Sequence, residues 1–289
     1  MSFVSDLING ADNKFDHTSL NALQKVTLRA VVMAFLFYGL AAIEGMIMRT
    51  ASVIPSIPPV YGSPEHYFSI MTVHPIVGIF GSTYQLVFGA FMFLVPFLTK
   101  KPLYSVKLAN WVWLLITVGT ALSWIAAFAW NYAPLYTLYW PLPADTEQFK
   151  TIGGIVFILG VALIMLGTFG FIYNIYATIF ARVGAHQNKT MKELLISGFG
   201  IDGILNLWYK LTGRQPYTKE PALSLPVVAI FRGTVDTFLD ALIILGAGIL
   251  VLVYLFADLG GFNLDVKSVD ALLYKNWFWW GLDLVADGL

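Results

Sequence analysis

The sequence predicts an all-α, polytopic transmembrane helix bundle of about six spans, the last one incomplete. Three observations carry this. Of the 289 residues, 58% are hydrophobic and only 12% charged, whereas soluble domains carry roughly 25% charged residues. The apolar residues fall into runs long enough to cross a bilayer core, which needs about 20 residues per helix. The Lys and Arg residues concentrate on alternate connections between those runs. Seventeen basic and 17 acidic residues cancel, which argues against a nucleic-acid partner. With no cysteine, disulfides, iron–sulfur clusters and thiolate chemistry are excluded.

The N-terminal segment 1–26 is polar and lacks a cleavage-site pattern, so it reads as a cytoplasmic tail rather than a signal peptide. The first apolar run, roughly 27–48, carries Glu44 near its end and Arg49 just beyond. The second, roughly 69–98, contains His74 followed by Pro75, which removes a backbone donor that neighbouring groups must compensate. Of the four histidines, His74 alone lies inside an apolar run. The third run spans roughly 109–131. The fourth, roughly 152–181, has Gly153, Gly154, Gly160, Gly167 and Gly170, which offer small faces for close helix contact. A polar loop at 182–225 includes one short amphipathic helix, 191–209, expected to lie on the cytoplasmic face. The fifth run, roughly 226–257, sets Arg232, Asp236 and Asp240 at i, i+4 and i+8, on one helix face. The sixth begins near Asn276 and reaches only about 14 residues, ~21 Å of helix, too short for a ~30 Å core. On this reading the chain, one membrane domain over 1–289, is half of a larger membrane unit or lacks its continuation.

Loop charge sets the orientation. Lys14, Lys25 and Arg29 precede or open the first run, Lys100, Lys101 and Lys107 follow the second, and six basic residues follow the fourth. The other side has only Arg49, Lys150, Lys267 and Lys275. The positive-inside rule then puts the N-terminus in the cytoplasm of a multi-pass protein of a prokaryotic plasma membrane. At ~1.5 Å per residue, His74, Glu44 and Asp283 fall in one layer near the outer third of the bilayer. Whether they face one another is left open by the sequence. An ionisable group at that depth is costly and marks function, and a neutral imidazole there is a ready axial ligand for haem iron.

The segments GLAAIEGMIMR, YFSIMTVHP with its long apolar continuation to VP, LYTLYWPLP, LPVVAIFRGTVDTFLDALIIL and NWFWWG resemble the large catalytic subunit of the haem–copper oxygen reductases and their nitric oxide reductase relatives. The resemblance covers nearly the whole chain but only the N-terminal half of that subunit, through its sixth helix. It implies a low-spin haem of unspecified type held by His74, with Arg49 pairing a haem propionate or simply snorkelling. It also implies a second haem and copper, or another metal, shared with a partner chain that supplies the remaining helices and histidines. The activity it implies is electron transfer from quinol or a small carrier towards O2 reduction, with proton uptake, inside a multisubunit respiratory complex in the lipid bilayer.

The sixth run departs from the pattern. The family's Gly-His copper ligand is replaced by Gly281-Leu282-Asp283, and Ala286 and Asp287 stand where the oxidase tyrosine belongs. Asp283 and Asp287 are therefore the candidates at the copper-ligand region, as metal ligands, proton relays or partner contacts. This departure keeps a nitric oxide reductase-type subunit as an alternative, alongside a non-catalytic haem-carrying or scaffold subunit. Glu44, Asp236 and Asp240 are proton-path candidates. For Arg232, Asp236 and Asp240 the plainer reading is an internal ion pair that satisfies itself. Trp277, Trp279 and Trp280 read as an interface belt, Trp111, Trp113, Trp124 and Trp130 as packing, His66 as solvent-facing, and His17 and His186 as having no metal role.

Overall fold

The computed structural model describes residues 20–54, 64–135, 138–144, 151–183, 186–262 and 264–287, and every regular element among them is helical. Helix α1, Ala22–Val53, starts at a capping box in which the Asn21 side chain accepts from Gln24 N and the Gln24 side chain accepts from Asn21 N. These two bonds satisfy amides that an uncapped helix start leaves orphaned. Helix α2 is built in three stretches, Pro64–Pro75, Ile76–Tyr84 and Gln85–Thr99, the middle one π-helical. Pro75 offers no N–H to its preceding turn, and the ladder widens immediately after it. Inside the widened stretch the Thr83 hydroxyl donates to the Gly78 carbonyl at 3.2 Å.

Helix α3, Val106–Trp130, opens on Ser105, whose hydroxyl accepts from Leu108 N at 3.1 Å. Helix α4, Thr151–Phe180, returns antiparallel along it. The short helices α5, Met191–Gly198, and α6, Ile201–Leu211, precede the long α7, Leu225–Leu259, and α8, Ala271–Asp287. Five of these helices, α1, α2, α3, α4 and α7, are long and apolar enough to cross a membrane. Each begins before its apolar run, by one to five residues, because backbone bonding extends through polar turns as far as the cap.

Two expectations need correction. The single amphipathic helix at 191–209 is two helices, since Gly200 at φ 70° turns the chain between α5 and α6. Only glycine adopts that left-handed backbone without a Cβ penalty. The sixth helix begins at Ala271 rather than near Asn276, because Asp270 Oδ1 accepts from Leu273 N at 2.8 Å and starts the helix early.

Small residues set the α3–α4 contact. A Cβ at Gly160 would collide with Ser123 Oγ and lie 2.6 Å from the Gly119 carbonyl, and one at Gly119 would lie 2.5 Å from the Gly160 carbonyl. Gly153 and Gly154 face Tyr132, Gly167 faces Ile116, and Gly170 faces Val112. The glycine face read from the sequence is thus the face of α4 against α3 and its outer turn. Aromatic packing joins α2 to α4, where the Phe88 and Phe171 rings lie parallel with centroids 3.7 Å apart.

At the α2–α3 turn, Asn174 of α4 bonds both backbone groups of Ser105, and the buried Lys101 ammonium reaches Thr178 O, Ile179 O and Ala181 O at 3.3, 2.8 and 2.7 Å. Those are terminal carbonyls of α4, where a cation offsets the helix dipole. Burial pushes the Lys101 amine down to about 8, so it stays charged at neutral pH. Replacing Lys101 with Met should destabilise the protein by about 1–3 kcal/mol, read as a lowered unfolding midpoint in detergent.

His186 also lies buried here, with Nδ1 3.4 Å from Ile179 O. Burial first, then the neighbouring Lys101 charge, hold its imidazole below the usual histidine range. The unfolded chain therefore takes up this proton at higher pH than the folded one does. Its contribution is present above about 6.5 and is lost as pH falls through the lower folded value. Thermal midpoints should drop between about pH 7.5 and about pH 5.5, and the drop should be smaller in His186→Gln.

Candidate functional site

The C-terminal halves of α1 and α3 and the N-terminal half of α2 converge on Glu44, His74 and Trp124. Glu44 is 2% exposed; its Oε1 accepts from Trp124 Nε1 at 2.8 Å, and its Oε2 lies 3.9 Å from His74 Nδ1. That second distance is within ion-pair range but beyond a hydrogen bond, and both facing atoms, Glu44 Oε2 and His74 Nδ1, are buried without a partner. The layer read from helix rise is therefore a real contact for two of its three members. Trp124, read from the sequence as packing, is the residue that fixes the carboxylate. Only the α1–α3 approach reveals it, since an indole donor has no sequence pattern of its own.

Gly45 makes room for the imidazole: a Cβ there would lie 3.3 Å from His74 Cε1. Beneath it Phe37, Ala41 and Val77, with Trp124 against them, form a dry apolar floor. The His74 side chain remains 36% exposed, so part of the ring faces away from the bundle core. Arg49 is exposed and lies one helical turn beyond Gly45, on the same face of α1. An imidazole with one nitrogen turned to a carboxylate, and a face left open, is the donor set an axial haem ligand requires. The residues present fit such a group, with Arg49 one turn beyond on the same face of α1.

The segment after α3 bonds back to α2 and packs against α7 and α8. Leu135 N donates to the Thr72 hydroxyl at 3.1 Å, and the Trp140 ring packs against Tyr254 of α7 and Tyr274 of α8. His66, expected in solvent, is partly buried at the start of α2. His17 lies outside the described residues. So do the side chains of Asp283 and Asp287, although the α8 backbone runs through both. Trp277 is packed on α7, where a Cβ at Gly246 would meet its ring, while Trp280 is exposed. Among the described residues no group of three or more His, Cys, Asp or Glu converges on a metal-sized point.

On α7, Arg232 is exposed, Asp236 half-buried and Asp240 fully buried. The expected self-satisfied ion pair does not form. The Arg232 guanidinium instead lies 5.9 Å from the centre of the Phe199 ring, and neither Asp240 oxygen has a partner.

The sequence profile of cytochrome C and quinol oxidase polypeptide I matches residues 25–284. The chain is 30% identical over 176 residues to a cytochrome c oxidase subunit 1 homolog of Agrobacterium tumefaciens (strain T37), covering 53% of this chain and 28% of that one. It is 29% identical over 182 residues to cytochrome c oxidase subunit 1 of Rhodobacter capsulatus, covering 56% and 30%. A bacteroid homolog of that subunit from Bradyrhizobium diazoefficiens is 31% identical over 173 residues, covering 54% and 28%. The alignments thus span less than a third of the length of these curated relatives. No solved structure matches the chain. Because the profile extends from the first turn of α1 into α8, across every span that builds the His74–Glu44 contact, the chain belongs to the cytochrome c and quinol oxidase polypeptide I family.

Proposed function

We propose that this chain holds a low-spin haem through His74 in a respiratory terminal oxidase of a prokaryotic plasma membrane, with its N-terminus and α5–α6 on the cytoplasmic side. The observation that supports this best is the His74 imidazole, partly open to the outside of the bundle and backed by the Glu44 carboxylate at 3.9 Å. When bound, the haem supplies one-electron transfer towards the site where O2 is reduced to water. Glu44, fixed by Trp124 at 2.8 Å, backs the Nδ1 edge of the His74 ring at 3.9 Å, and Nε2 would be the atom that holds iron. Arg49 neutralises a propionate. The apolar cluster of Phe37, Ala41 and Val77 packs one turn below the ring.

The remaining ligands of this haem, and those of a second haem and a metal, would come from another polypeptide segment. Quinol or a small electron carrier is the donor. Asp236 and Asp240 are the candidates for the proton route, and Asp283 and Asp287 are the candidates at the copper-ligand region of the family. A reduced-minus-oxidised spectrum with metal analysis of the purified complex tests this reading; a complex without low-spin haem would refute it. Glu44→Gln should shift the haem midpoint upward, on the order of tens of millivolts, because an anionic neighbour favours the oxidised state. Potentiometric titration reads that shift, and Glu44→Asp should restore part of it.

A second reading, nitric oxide reduction, is favoured by one observation: Leu282 and Asp283 follow Gly281 where the oxidase pattern has its copper-binding histidine. A carboxylate ligand selects a harder metal than copper. Metal analysis finding non-haem iron without copper, together with nitric oxide turnover, would decide for it.

A further inference from the structure

We propose that α6 is an in-plane membrane anchor, its apolar face set into anionic phospholipid of the leaflet beside the first turns of α7. A helix resting on a protein surface buries its apolar stripe and turns its polar side to water. Helix α6 does the reverse. At ~100° per residue, Asp202, Leu205, Asn206 and Tyr209 share one side of it. That side is covered: Asp202 is 5% exposed and the other three are half-buried. Part of the cover is the chain's own return. Asn206 Nδ2 donates to Thr218 O and Thr218 N donates to Asn206 Oδ1, both at 3.0 Å, and the Tyr209 and Tyr217 rings meet edge to face. The opposite side carries Ile204, Leu207, Trp208 and Leu211, which are 67, 59, 58 and 73% exposed. A contiguous apolar face left bare in this way marks a protein or membrane contact.

Position selects the membrane. At the α5–α6 turn a Cβ on Gly200 would lie 3.9 Å from Val228 Cγ1, and the Phe199 ring meets Phe231 edge to face at 5.3 Å. Helix α6 therefore leaves the bundle beside the first two turns of α7, at the end of a membrane span. Its 11 residues make ~16 Å of helix, too short to cross a ~30 Å core but able to lie along its surface. Trp208 is a side chain that the headgroup layer favours.

Charge selects the lipid. Across 191–220 the exposed charged residues are Lys192, Lys210, Arg214 and Lys219 against Glu193 and Glu220. Glu193 is already engaged by the Thr190 amide and hydroxyl at 2.7 and 2.8 Å. Lys210 flanks the apolar face and Arg214 follows its end, where cations meet phosphate oxygens once the face is inserted. This inference needs the membrane spans but not the haem reading, so either can fail alone.

The test uses the purified complex in nanodiscs of phosphatidylcholine, with and without phosphatidylglycerol. The chain has no cysteine, so a nitroxide at Ile204→Cys, Leu207→Cys or Lys210→Cys replaces no native thiol of it. Spin relaxation by O2, which concentrates among acyl chains, is compared with relaxation by a water-soluble nickel chelate. The oxygen-to-nickel ratio should be several-fold higher at Ile204 and Leu207 than at Lys210, and should rise further with phosphatidylglycerol. Leu207→Glu, read from the label at Ile204, should bring the ratio down to that of Lys210 without lowering the yield of monodisperse complex. Should the cysteine variants fail to assemble, quenching of tryptophan fluorescence by brominated lipid, reduced in Trp208→Phe, carries the test. An Ile204 label as open to nickel as the Lys210 label would overturn the proposal by placing the face in water. Shielding from both reagents would also overturn it, by showing a protein partner on that face. Equal ratios with and without phosphatidylglycerol would overturn the choice of anionic lipid.

Discussion

Replacing His74 with alanine is expected to abolish the low-spin haem signal while the membrane helices remain assembled. His74 lies inside a membrane-spanning helix with its Nδ1 turned toward Glu44, and no protein atom bonds that nitrogen. Removing the ring leaves Gly45 and the Phe37–Ala41–Val77 floor facing an apolar gap that offers no other nitrogen. Mutation of outer-shell partners alone typically costs 10–100-fold in metal affinity or activity, so loss of the ligand itself should reduce turnover by at least about 100-fold. Reduced-minus-oxidised and electron paramagnetic resonance spectra check the outcome. His66→Ala, at the start of the same helix, should leave both spectra unchanged. A six-coordinate low-spin haem surviving in His74→Ala would remove the assignment.

Gly160→Leu is expected to be the most destabilising single change in the bundle. Even the first carbon of a side chain there would collide with Ser123 Oγ and the Gly119 carbonyl. Neither can yield cheaply, since the carbonyl is helix backbone and the Ser123 hydroxyl donates to that same Gly119 oxygen at 3.0 Å. The α3 and α4 backbones would have to separate, opening the interface that also seats Gly167 on Ile116 and Gly153 against Tyr132. Overpacking typically costs about 1–3 kcal/mol and occasionally more; a contact against backbone should fall at or beyond the upper end. The measurement is the thermal midpoint and the yield of monodisperse complex in detergent. Gly203→Ala, at a position with nothing within 4 Å of a built Cβ, is the control and should change neither.

Much of this was readable along the chain. Length and spacing of apolar runs identify five spanning helices, because at membrane depth a backbone must satisfy its own hydrogen bonds and a helix does so within one segment. The glycine face of α4 was readable for the same local reason: residues three, four and seven apart share a side of the helix. The break at Gly200 was not, since one glycine in an amphipathic run is compatible with a continuous helix. Nor was the widened stretch after Pro75, where Phe37 of α1 and Thr120 of α3 leave no room beyond the glycine hydrogens at Gly81, and a Cβ at Gly78 would touch Ala41 of α1.

By itself the sequence determined the all-helical membrane architecture and the family, and it singled out His74 as the candidate ligand. Each follows from composition, periodicity or segment pattern, all properties of neighbouring positions. The tertiary structure decided what His74 and Asp240 are next to. Glu44 and Trp124 come from spans 80 residues apart, and their 2.8 Å bond beside the imidazole exists only once α1 and α3 pack together. Asp240 has the same i+4 spacing from Asp236 as any surface helix could show. What sets it apart is that the packed bundle removes water from it and turns the nearest cation elsewhere, because burial is a property of the assembled helices and not of their spacing.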